Sequence, residues 1–418
     1  MGDMNNNHHE PRAHFGAPFE VRSFRFQWPA DLAASWAIEM EVLILGWYVL
    51  VTSDSVMWLV GFGALLYIGT LASPLLGVLA DRLGHRVMLC CTRGIYAALS
   101  LCVVALAQAD ALTPAWVLAV SCVTGLIRPS DLMIRYALIA QSMPPAHLMG
   151  ALGVSRATSD SARIAGALTG AGAVAQWGMT WAYAVVTALY LISVLLSWHV
   201  APSVRHPSSS RGSAWVTPFI ELRLAVVYAL TKPALLGTWL LAFLVNMLAF
   251  PFFLGLLPYI AKEVYQVDQT GLGWMGASFA AGALMGSLCL GSNRISWPAG
   301  RLMLTSALIW FAMVMLFGQL SNIHGAMILL VVCGLVQSAC LTPMAALMLR
   351  DCDVQYHGRV MGLRILAVLG LPLGLMLSGA VVRSWGLPLT SLIFGLTGMG
   401  FTALLAWHWR AHLWRTPK

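Results

Sequence analysis

The residues with chemical potential in this chain are charged side chains set inside long apolar runs. Glu39 and Glu41 share one run that holds no basic residue. Arg128, Asp131 and Arg135 share another, at i, i+3 and i+7. Arg156, Asp160 and Arg163 share a third, at i, i+4 and i+7. In a helix each trio lines one face, with one acid between two arginines and a surplus of positive charge. Glu39 and Glu41 stand two apart and so point to nearly opposite faces. One is expected to face a cavity and the other to pack against a neighbouring helix. Arg93 opens a further run, and Arg364 is the one ionisable residue clearly inside an apolar run of the second half of the chain.

An ionisable group within a membrane is costly, about 2.5–3.5 kcal/mol or more at its centre, and so marks a candidate functional site. Desolvation favours the protonated form of a carboxylate, and a nearby arginine favours the ionised form. A conformational change that alters both would let the acid take up and release a proton. Glu41 or Glu39 is the first candidate for that role, with Arg128, Asp131 and Arg163 as partners. The competing reading is a fixed ion-pair network that holds the helices together. Pro129 follows Arg128, removes a backbone donor and is a candidate kink beside a cavity. Trp47, Asn246, Phe250 and Phe253 are candidates for the cavity wall, with Tyr48, Trp239, Phe252, Trp274 and Gln337 behind them. The cluster Phe250-Pro251-Phe252-Phe253 is favoured because proline can open a helix there. Apolar walls with a few polar groups suit an amphipathic small molecule. The excess of arginine points to negative charge on that molecule.

The elements that must position these residues are membrane-crossing helices. The sequence is 59% apolar and 10% charged, with a mean hydropathy of +0.78. Soluble chains are about 45–50% apolar and about 25% charged. A helix crosses the hydrocarbon core with about 20 residues, so twelve crossings use about 240. A β-barrel is excluded, because its strands alternate apolar with polar over about 10 residues, whereas runs such as Trp181–Val200 are continuous. The expected fold is therefore an all-α polytopic membrane protein with twelve transmembrane helices in two pseudo-symmetric six-helix bundles. The spans fall at 31–51, 57–79, 87–108, 114–140, 148–174, 178–198, 234–260, 271–291, 300–318, 324–348, 359–382 and 388–408. Residues 1–27 read as a cytoplasmic tail, 28–200 as one bundle, 201–232 as a linker, 233–409 as the second bundle and 410–418 as a second tail. Within the linker, Pro207-Ser208-Ser209-Ser210-Arg211-Gly212 is a flexible composition.

Of the 24 Lys and Arg residues, sixteen fall on the side of the termini and linker, and only Lys262 and Arg383 on the other. The positive-inside rule then places both termini in the cytoplasm. This bias accounts for the net charge of +8 without a nucleic-acid partner. The eight cysteines form no C-x-x-C pair, and seven lie in apolar runs as small packing residues. No metal site and no cofactor is expected. The segment Gly172-Ala173-Val174-Ala175-Gln176-Trp177-Gly178 is echoed half a chain later by Gly379-Ala380-Val381-Val382-Arg383-Ser384-Trp385-Gly386. Six-span halves related in parallel are one transporter architecture.

One loop carries a family pattern. Gly77-Val78-Leu79-Ala80-Asp81-Arg82-Leu83-Gly84-His85-Arg86 resembles the G-x-L-a-D-r-x-G-r-r loop between spans 2 and 3 of the major facilitator superfamily. The resemblance implies a conformational latch made by Gly77, Asp81, Arg82, Gly84 and Arg86, with Asp81 docking near Gly358-Arg359-Val360 at the start of span 11. The equivalent loop of the second half, from Gly291 to Arg301, keeps glycines and arginines without the acid. The stretch Ala162-Arg163-Ile164-Ala165-Gly166-Ala167-Leu168-Thr169-Gly170 is similar to the G-P-x-x-G segment of family exporters, with Ala167 in place of proline. Glu39 to Val49, Asn246 to Pro258, and Gly358-Arg359-Val360-Met361-Gly362 with Gly370 to Gly374 resemble the twelve-span exporters related to enterobactin and macrolide efflux proteins. The resemblance implies a monomeric, proton-driven exporter of a drug-like or siderophore-like molecule in a bacterial inner membrane. An uptake carrier for an organic anion is the alternative. A lipid-moving or sensory protein without net transport is another. An enzyme is not expected, because H-E-x-x-H, G-x-S-x-G and metal-spaced carboxylates are missing. G-x-x-x-x-G-K-[ST], which an ATP-driven pump needs, is missing too.

Overall fold

The computed structural model describes residues 17–70, 72, 76, 79–80, 82–201, 223, 226–291, 297–350 and 364–410. The first half holds α1 (Arg22–Ser53), α2 (Val56–Leu65, extended by a short turn at Ile68–Thr70), α3 (His85–Gln108) and α4 (Pro114–Ser142). One long helix follows, with a largely apolar stretch of 48 residues at Gly150–Ser197. At 1.5 Å per residue it would run about 72 Å, more than twice the hydrocarbon thickness. It is in fact two crossings. Gly178 adopts φ 76° and ψ 175°, a conformation that only glycine enters freely, and reverses the chain. We number the two parts α5 (145–177) and α6 (179–197).

The second half repeats the device. Here α7 is Pro233–Leu248 and continues through two π-helical turns at Pro251–Gly255 and Ile260–Val264. It is followed by α8 (Gln269–Gly291), α9 (Ala299–Phe317) and α10 (Ile323–Arg350). The span Arg364–His408 breaks at Gly386, with φ 74° and ψ 170°, into α11 (364–385) and α12 (387–408). The sequence echo that ends at Gly178 and Gly386 is thus the turn that closes the fifth helix of each half.

Small residues set the helix spacing within each half. Pro129 has no N–H and so leaves the Gly125 carbonyl of α4 without its helical donor. Gly69 packs directly on that carbonyl, and Gly125 packs on Leu65. In the second half Gly282 of α8 and Gly334 of α10 make the same reciprocal approach. A side chain at any of these four positions would collide with backbone across the helix pair.

The first helix starts earlier than expected. Polarity reads residues 1–27 as a cytoplasmic tail, yet within it Phe24 and Gln27 are buried. Phe19 meets Trp28 edge-on at 5.4 Å, and Gln27 donates to the Arg135 carbonyl at 3.0 Å. The polar side chains find partners inside the bundle, so the helix extends to Arg22.

Candidate functional site

The halves meet at the end of the molecule where α1 turns into α2. There Lys262 forms an ion pair with Asp54, Val60 packs on Gly379 and Gly63 on Leu375. Gly273 of α8 sits against Ala167 and Ala171 of α5. Beyond this seal lies a cavity of about 270 Å³ walled by both halves. Its first-half wall carries Glu39, Tyr67, Arg128, Arg156 and Arg163. Its second-half wall is apolar except for Asn246 and Gln337.

The cavity collects three guanidiniums and one carboxylate. Glu39 Oε1 lies 3.6 Å from Arg163 Nε. Gly166, one turn further along α5, makes this possible, since a Cβ there would come within 2.7 Å of the Glu39 Cβ. The small-residue stretch of α5 therefore brings α1 close and sets its acid beside the arginine. Arg128 lies over the Tyr67 ring, 5.6 Å from its centre. Arg156 is paired from behind by Asp160 at 3.2 Å.

Asp131 and Arg135, on the same stripe of α4 as Arg128, do not reach the cavity. They lie further along α4, inside the first-half bundle. Arg135 Nη2 binds Asp131 Oδ2 at 2.7 Å and its Nη1 donates to Ser35 at 2.8 Å. Arg93 binds Asp131 at 3.3 Å and also pairs with Asp31. Its remaining nitrogen donates to Ser197 at 2.6 Å. Two acids thus meet two arginines in a buried, closed network that ties α1, α3, α4 and α6. For Asp131 the fixed-network reading describes the geometry. Asp31 was not singled out in the sequence, although an acid at the start of an apolar run was the available signal.

Glu41 is also kept out of the cavity. Tyr190 donates to its Oε2 at 2.6 Å and Tyr183 to its Oε1 at 3.1 Å. The two glutamates do face apart as their spacing requires. Glu39 is the one at the cavity and Glu41 the one packed against α6.

Two of the four leading wall candidates, Phe253 and Trp47, are elsewhere, as are Tyr48, Trp239, Phe252 and Trp274. Phe253 stacks on Phe279 at 5.1 Å and on Trp310 at 6.3 Å in the second-half core. Its ring has no polar atom to satisfy, and aromatic neighbours bury it fully. Trp47, one residue past the cavity-lining Gly46, is turned about 100° away and packs against the same core. Asn246 and Phe250 do line the cavity. Tyr67 was missed, because an aromatic residue in an apolar run carries no signal of its own.

Of the expected latch, Gly77, Asp81 and the docking site Gly358-Arg359-Val360 lie outside the described residues. Gly84 has φ 92°, which explains the glycine at the α3 start. Arg82 is exposed, and the Arg86 guanidinium sits 5.7 Å from the Trp198 ring centre.

No curated protein matches this sequence. Solved structures do resemble the fold. The nucleoside transporter NupG is 15% identical with a TM-score of 0.68, over 94% of this chain and 100% of that one. A POT family transporter in complex with 5-aminolevulinic acid is 10% identical with a TM-score of 0.73, over 94% and 97%. The human organic anion transporter MFSD10 (TETRAN) is 16% identical with a TM-score of 0.66, over 92% and 99%. At these identities the likeness shows the fold alone. The sequence itself matches the Major Facilitator Superfamily over residues 28–368. With its twelve crossings, its two halves and the cavity between them, the chain belongs to that superfamily and is a membrane transporter.

Proposed function

We propose that this transporter moves an amphipathic organic anion by alternating access, with the cavity between the halves as the substrate site. The observation that carries this reading is the composition of the cavity wall. One half supplies Arg128, Arg156 and Arg163, and the other supplies apolar side chains with Asn246 and Gln337. A molecule with one charged end and one apolar end matches both walls. Rocking of the halves about the cavity would expose it to each side in turn. The charge bias of the loops supports placing the sealed end outside the cell and both termini inside.

The proton gradient is the proposed energy source, with Glu39 as the carboxylate that meets the substrate. Export of a drug-like or siderophore-like acid is the direction implied by the resemblance to efflux proteins. Uptake of an organic anion is the alternative direction. The test compares cells with and without the gene for accumulation of labelled aromatic acids and siderophores, with and without an uncoupler. An accumulation difference that collapses with the uncoupler is expected. Equal accumulation in both strains would overturn the proposal.

A further inference from the structure

We infer that Gln337 hydrogen-bonds a neutral polar group on the apolar part of the substrate, so that the cargo is an organic acid with a hydroxyl or amide set away from its charge. The inference rests on the reading of the cavity as the transport site and narrows the class of molecule that fits it.

The position of Gln337 follows from how α10 is held. Gly334 packs against the backbone of α8 at Phe279 and Ala283. Ser338 donates to the Ala283 carbonyl at 2.7 Å. One face of α10 is therefore fixed on α8. Gln337 and Leu341 stand four apart, on one side of the helix, and both line the cavity. A side chain carried on a pinned helix has a more defined place than one on a loop.

The fold itself does not use this amide. Gln337 is 7% exposed, and among the described residues no donor reaches its Oε1. Asn246, the other amide of this wall, differs, because its Nδ2 donates to the Ala242 carbonyl one turn back at 2.8 Å. A buried carbonyl without a donor weakens the empty protein, and a ligand that supplies the donor recovers the loss. The terminal torsion of a glutamine is soft, so a turn of the amide plane presents its oxygen or its nitrogen to the cavity. A hydroxyl or a carboxamide can donate to the one and accept from the other. A hydrocarbon does neither, and an ionised carboxylate cannot donate.

The arginines belong to the opposite wall. Arg128 and Arg163 are presented by the first half and Gln337 by the second. The charged group and the neutral polar group of the substrate are thus read from different halves, with Phe250 and Leu341 beside its apolar body. A site that hydrogen-bonds its substrate rejects an analogue without the polar group more strongly than an apolar pocket rejects a change of size. Affinity is set by the arginines, and selectivity among acids by Gln337.

The test is equilibrium dialysis of the purified full chain in detergent at neutral pH, with labelled 6-hydroxy-2-naphthoate, 6-methyl-2-naphthoate and 2-naphthoate. The hydroxyl and methyl groups are similar in size, and only the hydroxyl forms hydrogen bonds. The wild-type chain is expected to bind the hydroxy acid at least about fivefold tighter than the methyl acid. Gln337→Leu should reverse that order and bind the methyl acid at least as well as the wild type does. Its unfolding temperature without ligand should be unchanged or higher, because an unpaired buried carbonyl is removed. Arg128→Gln should weaken all three acids and keep their order. Equal binding of the hydroxy and methyl acids by the wild type would overturn the role of Gln337 and leave the anion site standing. A hydroxyl preference retained in Gln337→Leu, or a clear fall in its unfolding temperature, would do the same. Failure of all three acids to bind would overturn the cavity reading, and this inference with it.

Discussion

At the residue scale, the chain separates charges that hold it together from charges that face a ligand. The spacing of Arg128, Asp131 and Arg135 reads as one face, and it is one stripe. Yet its two ends serve different places, because about 10 Å of helix rise separates Arg128 from Arg135. Sequence spacing gives the angle around a helix but not the depth at which a neighbour waits. Asp31 and Arg93 stand far apart in sequence and meet only because α1 and α3 both pack on α4 and on the helix pair α5–α6, so their pairing was not legible. The same holds for Tyr183 and Tyr190, whose role appears only with Glu41 between them. Glu39 and Arg163 were legible as candidates from their burial in apolar runs, but not as a pair.

These roles make different predictions. Replacing Arg135 by Met leaves Asp131 and Asp31 with one arginine between them. It is expected to lower stability by about 3–5 kcal/mol, read as a large fall in unfolding temperature in detergent. An unchanged unfolding temperature would contradict the network. Tyr190→Phe removes one donor from Glu41 and should cost about 1–3 kcal/mol. The same melting assay checks it, and a loss of anion binding at unchanged stability would instead place Glu41 in the substrate site.

At the element scale, the repeat is written in glycines. The halves share the reversals at Gly178 and Gly386 and the close crossings of Gly69 with Gly125 and Gly282 with Gly334. The sequence echo located the first pair. The second pair was not legible, since a chain with 38 glycines does not announce which ones lie against backbone. Gly178→Ala places a Cβ at φ 76°. A cost of about 1–2 kcal/mol is expected from that strain. Gly172→Ala, where a Cβ meets nothing within 4 Å, should be neutral or slightly stabilising. Equal melting of the two variants would remove the argument from backbone conformation. Phe250 and Phe253 show the opposite limit. Proline marks this segment as one where a helix can open, and a π-helical turn lies at Pro251–Gly255. An irregular helix does not carry the regular angle needed to say which ring faces inward.

At the scale of the whole molecule, the asymmetry of chemistry between similar halves is the main result. The first half holds the cavity charges, and the second supplies an apolar wall that meets it at the seal. The Lys262 ammonium belongs to that seal. Its bond to Asp54 raises its pKa, so its contribution is fully present below the ordinary lysine value and fades only as pH rises through the shifted one. The seal should therefore be insensitive to pH across the neutral range. Lys262→Gln should loosen it. Spin labels at Thr52 and Asp268, flanking the pair, should then show a new population at longer distance. An unchanged distance distribution would show that apolar packing alone keeps this end closed.

The central claim is that an organic anion crosses through the cavity between the halves. It is tested most directly by counterflow of labelled 1-naphthoate in proteoliposomes. Vesicles holding the wild-type chain should exchange the label rapidly, and those holding Arg128→Gln should lose at least about tenfold in rate, the equivalent of one missing charge contact. Wild-type exchange no faster than in protein-free vesicles, or full exchange by Arg128→Gln, would contradict the account.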